Sequence, residues 1–167
     1  MEKQINFRNV DKDNFDEAIQ MEVNPSQKGF MEGNLISIAE CSFEKDFRAK
    51  VIYDDQTPVG FALYYLVEEE GDIPYVFLHR FMVDKKYQGK GYGKAALLAC
   101  VDLFKEEFPQ IKAVELMHYP DNRIGESLYE KTGFVPTGER RESEPCRCEL
   151  GSKDPNRYVE IVRRKMI

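Results

Sequence analysis

Residues 87–97 read YQGKGYGKAAL. Glycines 89, 91 and 93 stand at alternate positions, and the residues after them carry a helical period. Leu97, Leu98, Val101, Phe104 and Phe108 fall at i, i+1, i+4, i+7 and i+11, one face of a helix that Pro109 ends. In front of the glycines, YVFLHRFMV (75–83) is nearly all apolar, which predicts a strand covered on both faces and central in its sheet. Strand, glycines and helix N-terminus together form the layout of an anion site. The first-turn N–H groups have no partner within the helix and the macrodipole favours negative charge. Glycine brings the backbone close to a phosphate and permits positive φ where amides converge.

Two common phosphate loops do not match. A P-loop ends in Gly-Lys-Ser/Thr, whereas Gly93-Lys94 is followed by Ala95, with no hydroxyl placed for magnesium. A dinucleotide fingerprint is spaced G-x-G-x-x-G, whereas the spacing here is G-x-G-x-G.

Outward from this unit the chain alternates strand and helix signals. A strand is expected at INFRNV (5–10), a helix at NFDEAIQM (14–21) and a second helix across 34–44. AKVIYD (49–54) and VGFALYYLV (59–67), separated by a polar turn at 55–58, predict a hairpin. KAVELMHY (112–119) reads as a strand and 122–131 as a helix capped at PDN and closed by Gly133. Strands at 134–141 and 157–165 flank a polar stretch, ESEPCRCELGSKDPN (142–156), for which the sequence suggests no role. Strand 75–83, its helix and strand 112–119 make one βαβ unit in a sheet otherwise joined by hairpins, so the fold class is mixed α/β.

Composition narrows the function. The 167 residues suit one domain, 1–167, and 42% hydrophobic content without a long apolar run excludes a disordered or membrane-spanning chain. The start, MEKQINFRNV, lacks a basic region followed by an apolar one, which points to the cytoplasm. A net charge of −6 argues against nucleic acid and suits a cationic partner. Cys41, Cys100, Cys146 and Cys148 are unevenly spaced and read as thiols. Cys146 and Cys148 enclose a single residue and lie far from His79 and His118, so no metal is expected.

RFMVDKKYQGKGYGKAAL (80–97) resembles the acetyl-CoA-binding motif Q/R-x-x-G-x-G/A of the GNAT family of N-acetyltransferases, with Gln88, Gly91 and Gly93 at its fixed positions. YPDNRIGESLYEKTGF (119–134) resembles the family's next segment: Asn122, then Tyr129 seven residues on, then Gly133-Phe134. The likeness is good over 59–138 and looser over the N-terminal 50 residues. Gln27, Phe30, Asn34 and Ser37 make it most similar to the bacterial spermine/spermidine acetyltransferase branch.

The resemblance implies a GNAT fold: a mixed, mostly antiparallel central sheet with flanking helices, splayed between strands 75–83 and 112–119, with a bulge in the former that sequence does not display. It implies acetyl-CoA as co-substrate, its pyrophosphate held by Gln88 and the amides of Gly89, Lys90, Gly91, Tyr92, Gly93 and Lys94. Phe81, Met82 and Val83 would pair with the pantetheine arm, and Asn122 would contact that arm as well as cap its helix. Tyr129 takes the position of the general acid. His79 takes that of a base, with His118 as the alternative. Glu22, Gln27, Glu32 and Glu68 would wall the amine groove, while Arg80, alternating away from His79, reads as an ion-pair partner. The implied reaction is transfer of acetyl to a primary amine by direct attack in a ternary complex, the amine being a polyamine such as spermidine or spermine. A protein N-terminus, a lysine or an antibiotic amine, or a CoA-binding regulatory domain without turnover, are the other readings. The expected partner is a small amine, with no nucleic acid, membrane or metal, and with a homodimer left open.

Overall fold

A computed structural model describes residues 3–142 and 159–167, and no helix among them is long and apolar enough to cross a membrane. Most of the polar stretch 142–156, including Cys146 and Cys148, lies outside the described residues.

The strands are β1 (Ile5–Asn9), β2 (Arg48–Asp54), β3 (Thr57–Val67), β4 (Tyr75–Val83), β5 (Ala113–His118), β6 (Val135–Glu142) and β7 (Val159–Met166). They form one sheet in the order β1-β2-β3-β4-β5-β7-β6. The helices are α1 (Phe15–Gln20), α2 (Asn34–Glu40), α3 (Tyr92–Glu107) and α4 (Arg123–Lys131). Among the described strands only β4 and β5 pair in parallel, the crossover through α3 returning the chain to the same end of the sheet. This is the mixed, mostly antiparallel α/β sheet with flanking helices expected from the sequence. The helix expected over 34–44 ends at Glu40 and gives way to turns before β2. The last strand is not an edge: β7 lies between β5 and β6 and pairs antiparallel with both.

Alternation along β3 divides the core into two layers. Ala62 and Tyr64 face α3 and α4, joining Ile52, Leu78, Leu97, Phe104, Leu116 and Phe134. Phe61 and Leu63 face α1 and α2, joining Ala18, Met21, Val51, Tyr53 and Met82. Of the helical face predicted on α3, Leu97, Val101 and Phe104 are buried in the first layer, as is Phe108 just beyond it. Burying each such side chain contributes about 1.5–3 kcal/mol, so both helical layers are needed to cover the sheet. At Gly60 the strands β3 and β4 come so close that an added Cβ would collide with the Met82 carbonyl oxygen.

Candidate active site

β4 and β5 are in register only where Tyr75–Phe77 meets Ala113–Glu115; beyond Phe77 they part. On its other edge β4 stays paired with β3 as far as Val83, but the register slips. Leu63 faces Arg80 and Tyr64 faces Leu78, which makes His79 the extra residue of a β-bulge. Among the described residues, the β5-side edge of β4 from Leu78 to Val83 therefore has no strand partner, an arrangement that suits an extended guest. The gap opens into a cavity of ≈ 1170 Å³ walled by β4, β5, α4, the start of α3 and the segment 23–32.

The glycine loop closes one end. Gly89 and Gly91 have φ of 73° and 83°, a left-handed backbone that other residues adopt only with strain. Gly91 is the N-cap of α3, and no side chain caps that helix. Among the described residues, the amides of Gly89 through Lys94 donate to no backbone carbonyl outside the helix. This run of unpaired amides at a 16-residue helix fits a pyrophosphate. The loop is framed from below: Asp84, 4% exposed, accepts from the Glu22 amide (3.2 Å) and the Lys86 amide (2.8 Å). Gln88 donates to the Val83 carbonyl at 2.9 Å and accepts from Asn24 Nδ2 at 2.6 Å, joining the loop to the segment 23–32.

α4 supplies the opposite wall. Asn122 caps it by accepting from the Gly125 amide at 2.9 Å, and it also lines the cavity. Tyr129, two turns along, is buried and lines the cavity with its ring 5.5 Å from that of His118. Burial, reinforced by the Glu160 carboxylate and opposed by Arg163, pushes the Tyr129 phenol up to about 12, so it holds its proton at neutral pH.

The bulge sets the chemistry of the β4 wall. By interrupting alternation it turns both His79 and Arg80 toward the cavity, where sequence alternation had placed Arg80 away. His79 sits among the rings of Phe47 (5.5 Å), Phe77 (6.0 Å) and Tyr65 (6.1 Å). Burial there, with the Arg80 charge adding to it, pushes His79 down to about 4, so at neutral pH the imidazole is uncharged. Arg80 forms the ion pair expected of it, binding both carboxylate oxygens of Glu40 and, at 3.3 Å, Ser37 Oγ. His118 is otherwise engaged. Its Nε2 accepts from Arg163 Nε at 2.8 Å and its Nδ1 donates to the Tyr119 carbonyl at 2.9 Å, which leaves no lone pair for a substrate proton.

The cavity thus brings together His79, Phe81, Met82, Val83, Gln88, Gly89, Gly91, Gly93, Lys94, Asn122, Tyr129, Gln27 and Glu32 from the sequence expectations. It does not include Lys90, whose ammonium turns back to the Lys86 carbonyl at 2.7 Å, or Tyr92, whose hydroxyl donates to Asp54 at 2.7 Å. Glu22 is engaged by Lys85 at 2.6 Å and Lys28 at 3.9 Å, and Glu68 accepts from Gln110 at 3.2 Å; neither lines the cavity. Sequence reasoning missed Glu40 and Glu160 as lining groups, and nothing in their local sequence distinguishes them from solvated surface charges. Phe30 and Tyr119, 6.2 Å apart, also belong to the lining, from the N-terminal segment and the end of β5.

A family model described as the acetyltransferase (GNAT) family matches residues 15–134. The chain belongs to the GNAT family of N-acetyltransferases. Among curated proteins it is 30% identical over 138 residues to a probable spermine N(1)-acetyltransferase of Bacillus subtilis subsp. natto, covering 81% of this chain and 90% of that one. Among solved structures it resembles the spermidine N-acetyltransferase of Vibrio cholerae, described in complex with CoA and spermine, at a TM-score of 0.70 with 14% identity, covering 98% of this chain and 95% of that one. It resembles the aminoglycoside N(6')acetyltransferase of Legionella pneumophila at a TM-score of 0.72 with 15% identity, covering 99% and 94%. At these identities the structural likenesses speak for the fold.

Proposed function

We propose that this N-acetyltransferase transfers acetyl from acetyl-CoA to a primary amine of a polyamine such as spermidine or spermine, by direct attack within a ternary complex. The observation that carries the polyamine assignment is the 30% identity, over 138 residues, to a relative named as a probable spermine acetyltransferase. The lining agrees with it: Glu32 and Glu160 put carboxylates on the cavity wall that a chain of ammonium groups can meet in turn.

Acetyl-CoA supplies the acetyl group as a thioester. The amides of Gly89 to Lys94 hold its phosphates while Gln88 braces the loop through Val83 and Asn24, and the open edge of β4 at Phe81–Val83 aligns the arm, with Asn122 opposite. An amine with an ordinary pKa near 10 is charged at pH 7 and has to shed a proton. His79, uncharged and close to 4, is too weak a base to strip a free ammonium, so that first proton goes to solvent. It accepts instead from the nitrogen once that nitrogen is bonded to the acyl carbon and has become acidic. Tyr129 protonates the departing sulfur. The burial that raises the phenol raises a thiolate in the same cavity as well, so the donation is less uphill than solution values suggest.

The test is acetyl-CoA consumption against spermidine, spermine, lysine peptides and aminoglycosides, run beside Tyr129→Phe. Polyamines should give the highest kcat/KM, and Tyr129→Phe should lower kcat by about 10²–10⁴-fold, the usual worth of a general acid. A better substrate outside the polyamines refutes the substrate assignment. Full activity in Tyr129→Phe refutes the acid.

A further inference from the structure

One buried side chain ties α4 to the sheet. Arg163, in β7, is 2% exposed. Its Nε donates to His118 Nε2 at 2.8 Å, its Nη2 to Glu126 Oε1 and Glu130 Oε1 at 3.2 Å each, and its Nη1 to the Phe134 carbonyl at 3.4 Å. Glu126 and Glu130 lie one turn apart on α4 and bracket Tyr129. The Phe134 amide in turn donates to the Tyr129 carbonyl at 2.9 Å. Because a guanidinium can only donate, His118 Nε2 must accept, which puts the imidazole proton on Nδ1 and toward the Tyr119 carbonyl. The ring against which Tyr129 packs is therefore held in a single tautomer and orientation.

Burying a guanidinium is costly, and apolar residues of similar volume would hold β7 in the core at least as well. What an apolar residue would lack is the fork, with acceptors on both sides of Tyr129 and beneath it. We propose that Arg163 is a positioning residue for the general acid: by fixing Glu126, Glu130 and His118 together it sets where the Tyr129 hydroxyl meets the reacting atoms. This rests on the reading of Tyr129 as the acid. Arg163 does not itself line the cavity, so it acts only through its partners.

The experiment is a double-mutant cycle with imidazole NMR beside it. Arg163→Met should lower kcat roughly tenfold to hundredfold, the scale of a misplaced catalytic group, with KM for acetyl-CoA little changed. In a Tyr129→Phe background the same substitution should cost nothing more, since the group it positions is gone. The chain has only two histidines, so long-range ¹H–¹⁵N spectra report His118 directly. Wild type should show a pure Nδ1–H tautomer and Arg163→Met a mixture. Where Arg163→Met fails to fold, Arg163→Lys keeps the charge but not the fork, and should show the same tautomer mixing with a smaller loss of kcat. An equal loss in the wild-type and Tyr129→Phe backgrounds, or an unchanged His118 tautomer with unchanged kcat, overturns the positioning role. Full activity in Tyr129→Phe alone instead overturns the acid reading, and the cycle separates the two failures.

Discussion

Glu115 stands at the point where β4 and β5 separate, opposite Phe77, the last residue of β4 that pairs with β5. Its side chain is fully buried. Arg164 binds its Oε2 through Nε at 3.0 Å and Nη2 at 2.6 Å, while Arg141 Nη1 lies 2.8 Å from Oε1, near enough for an ion pair but not aligned for a hydrogen bond. Glu115→Gln removes the charge and keeps the shape. Breaking a fully buried pair costs about 3–5 kcal/mol. Here the two guanidiniums are 29% and 39% exposed and can rehydrate, so the loss should be nearer 2–3 kcal/mol, on the order of one or two charge-assisted hydrogen bonds. For a chain of this length each kcal/mol moves Tm by about 2–4 °C, so thermal unfolding followed by circular dichroism should show a fall of about 4–12 °C. Glu115 does not line the cavity, and kcat measured well below Tm should stay near wild type. A fall of less than about 2 °C would refute the claim that this carboxylate locks the apex of the split.

Two further outcomes test the loop and the bulge. Gly91→Ala meets no clash, the nearest atom to its Cβ being Lys3 Cε at 3.7 Å, but it forces a left-handed residue at a cost of about 1–2 kcal/mol; titration kinetics should show KM for acetyl-CoA raised more than kcat is lowered, and an unchanged KM would remove the cradle's role. His79 is depressed from its ordinary value to about 4, so between about pH 6.5 and 4 the unfolded chain binds more protons there than the folded one, and stability is lost as pH falls through that window. By pH 5 this single group accounts for about 2 kcal/mol; denaturant unfolding at pH 7 and pH 5 should therefore show His79→Gln losing less than wild type by about that amount, and equal losses would contradict the burial of the ring.

Legibility in the sequence followed the range of the interactions. The apolar run of β4, the alternate glycines, the α3 face and Pro109 are local signals, and β4 begins and ends where they place it. The glycine-loop half of the cavity was readable for the same reason: it is built from backbone amides of consecutive residues and from the spacing of Asn122 to Tyr129 along one helix. The side chains of Lys90 and Tyr92 sit between those amides yet turn away, to the Lys86 carbonyl and Asp54: Lys90 lies between the left-handed Gly89 and Gly91, and Tyr92 follows Gly91 as the first residue of α3. The half of the cavity lined by the segment 23–32, Glu40 and Glu160 was poorly readable. Glu22 and Glu68 look no different in sequence from Glu40 and Glu160, and what separates them is which strand edge and helix they come to lie beside.

By itself, then, the sequence determined the order of strands and helices along the chain, since adjacent residues set φ, ψ and periodicity; the acyl donor was legible only through the resemblance of residues 80–97 and 119–134 to the GNAT motifs. The bulge at His79, the insertion of β7 between β5 and β6, the fork of Arg163 and the proton affinities of His79 and Tyr129 were decided only in the tertiary structure. Each depends on strand register and on the exclusion of water by residues far apart in the chain, and none is a property of any short segment.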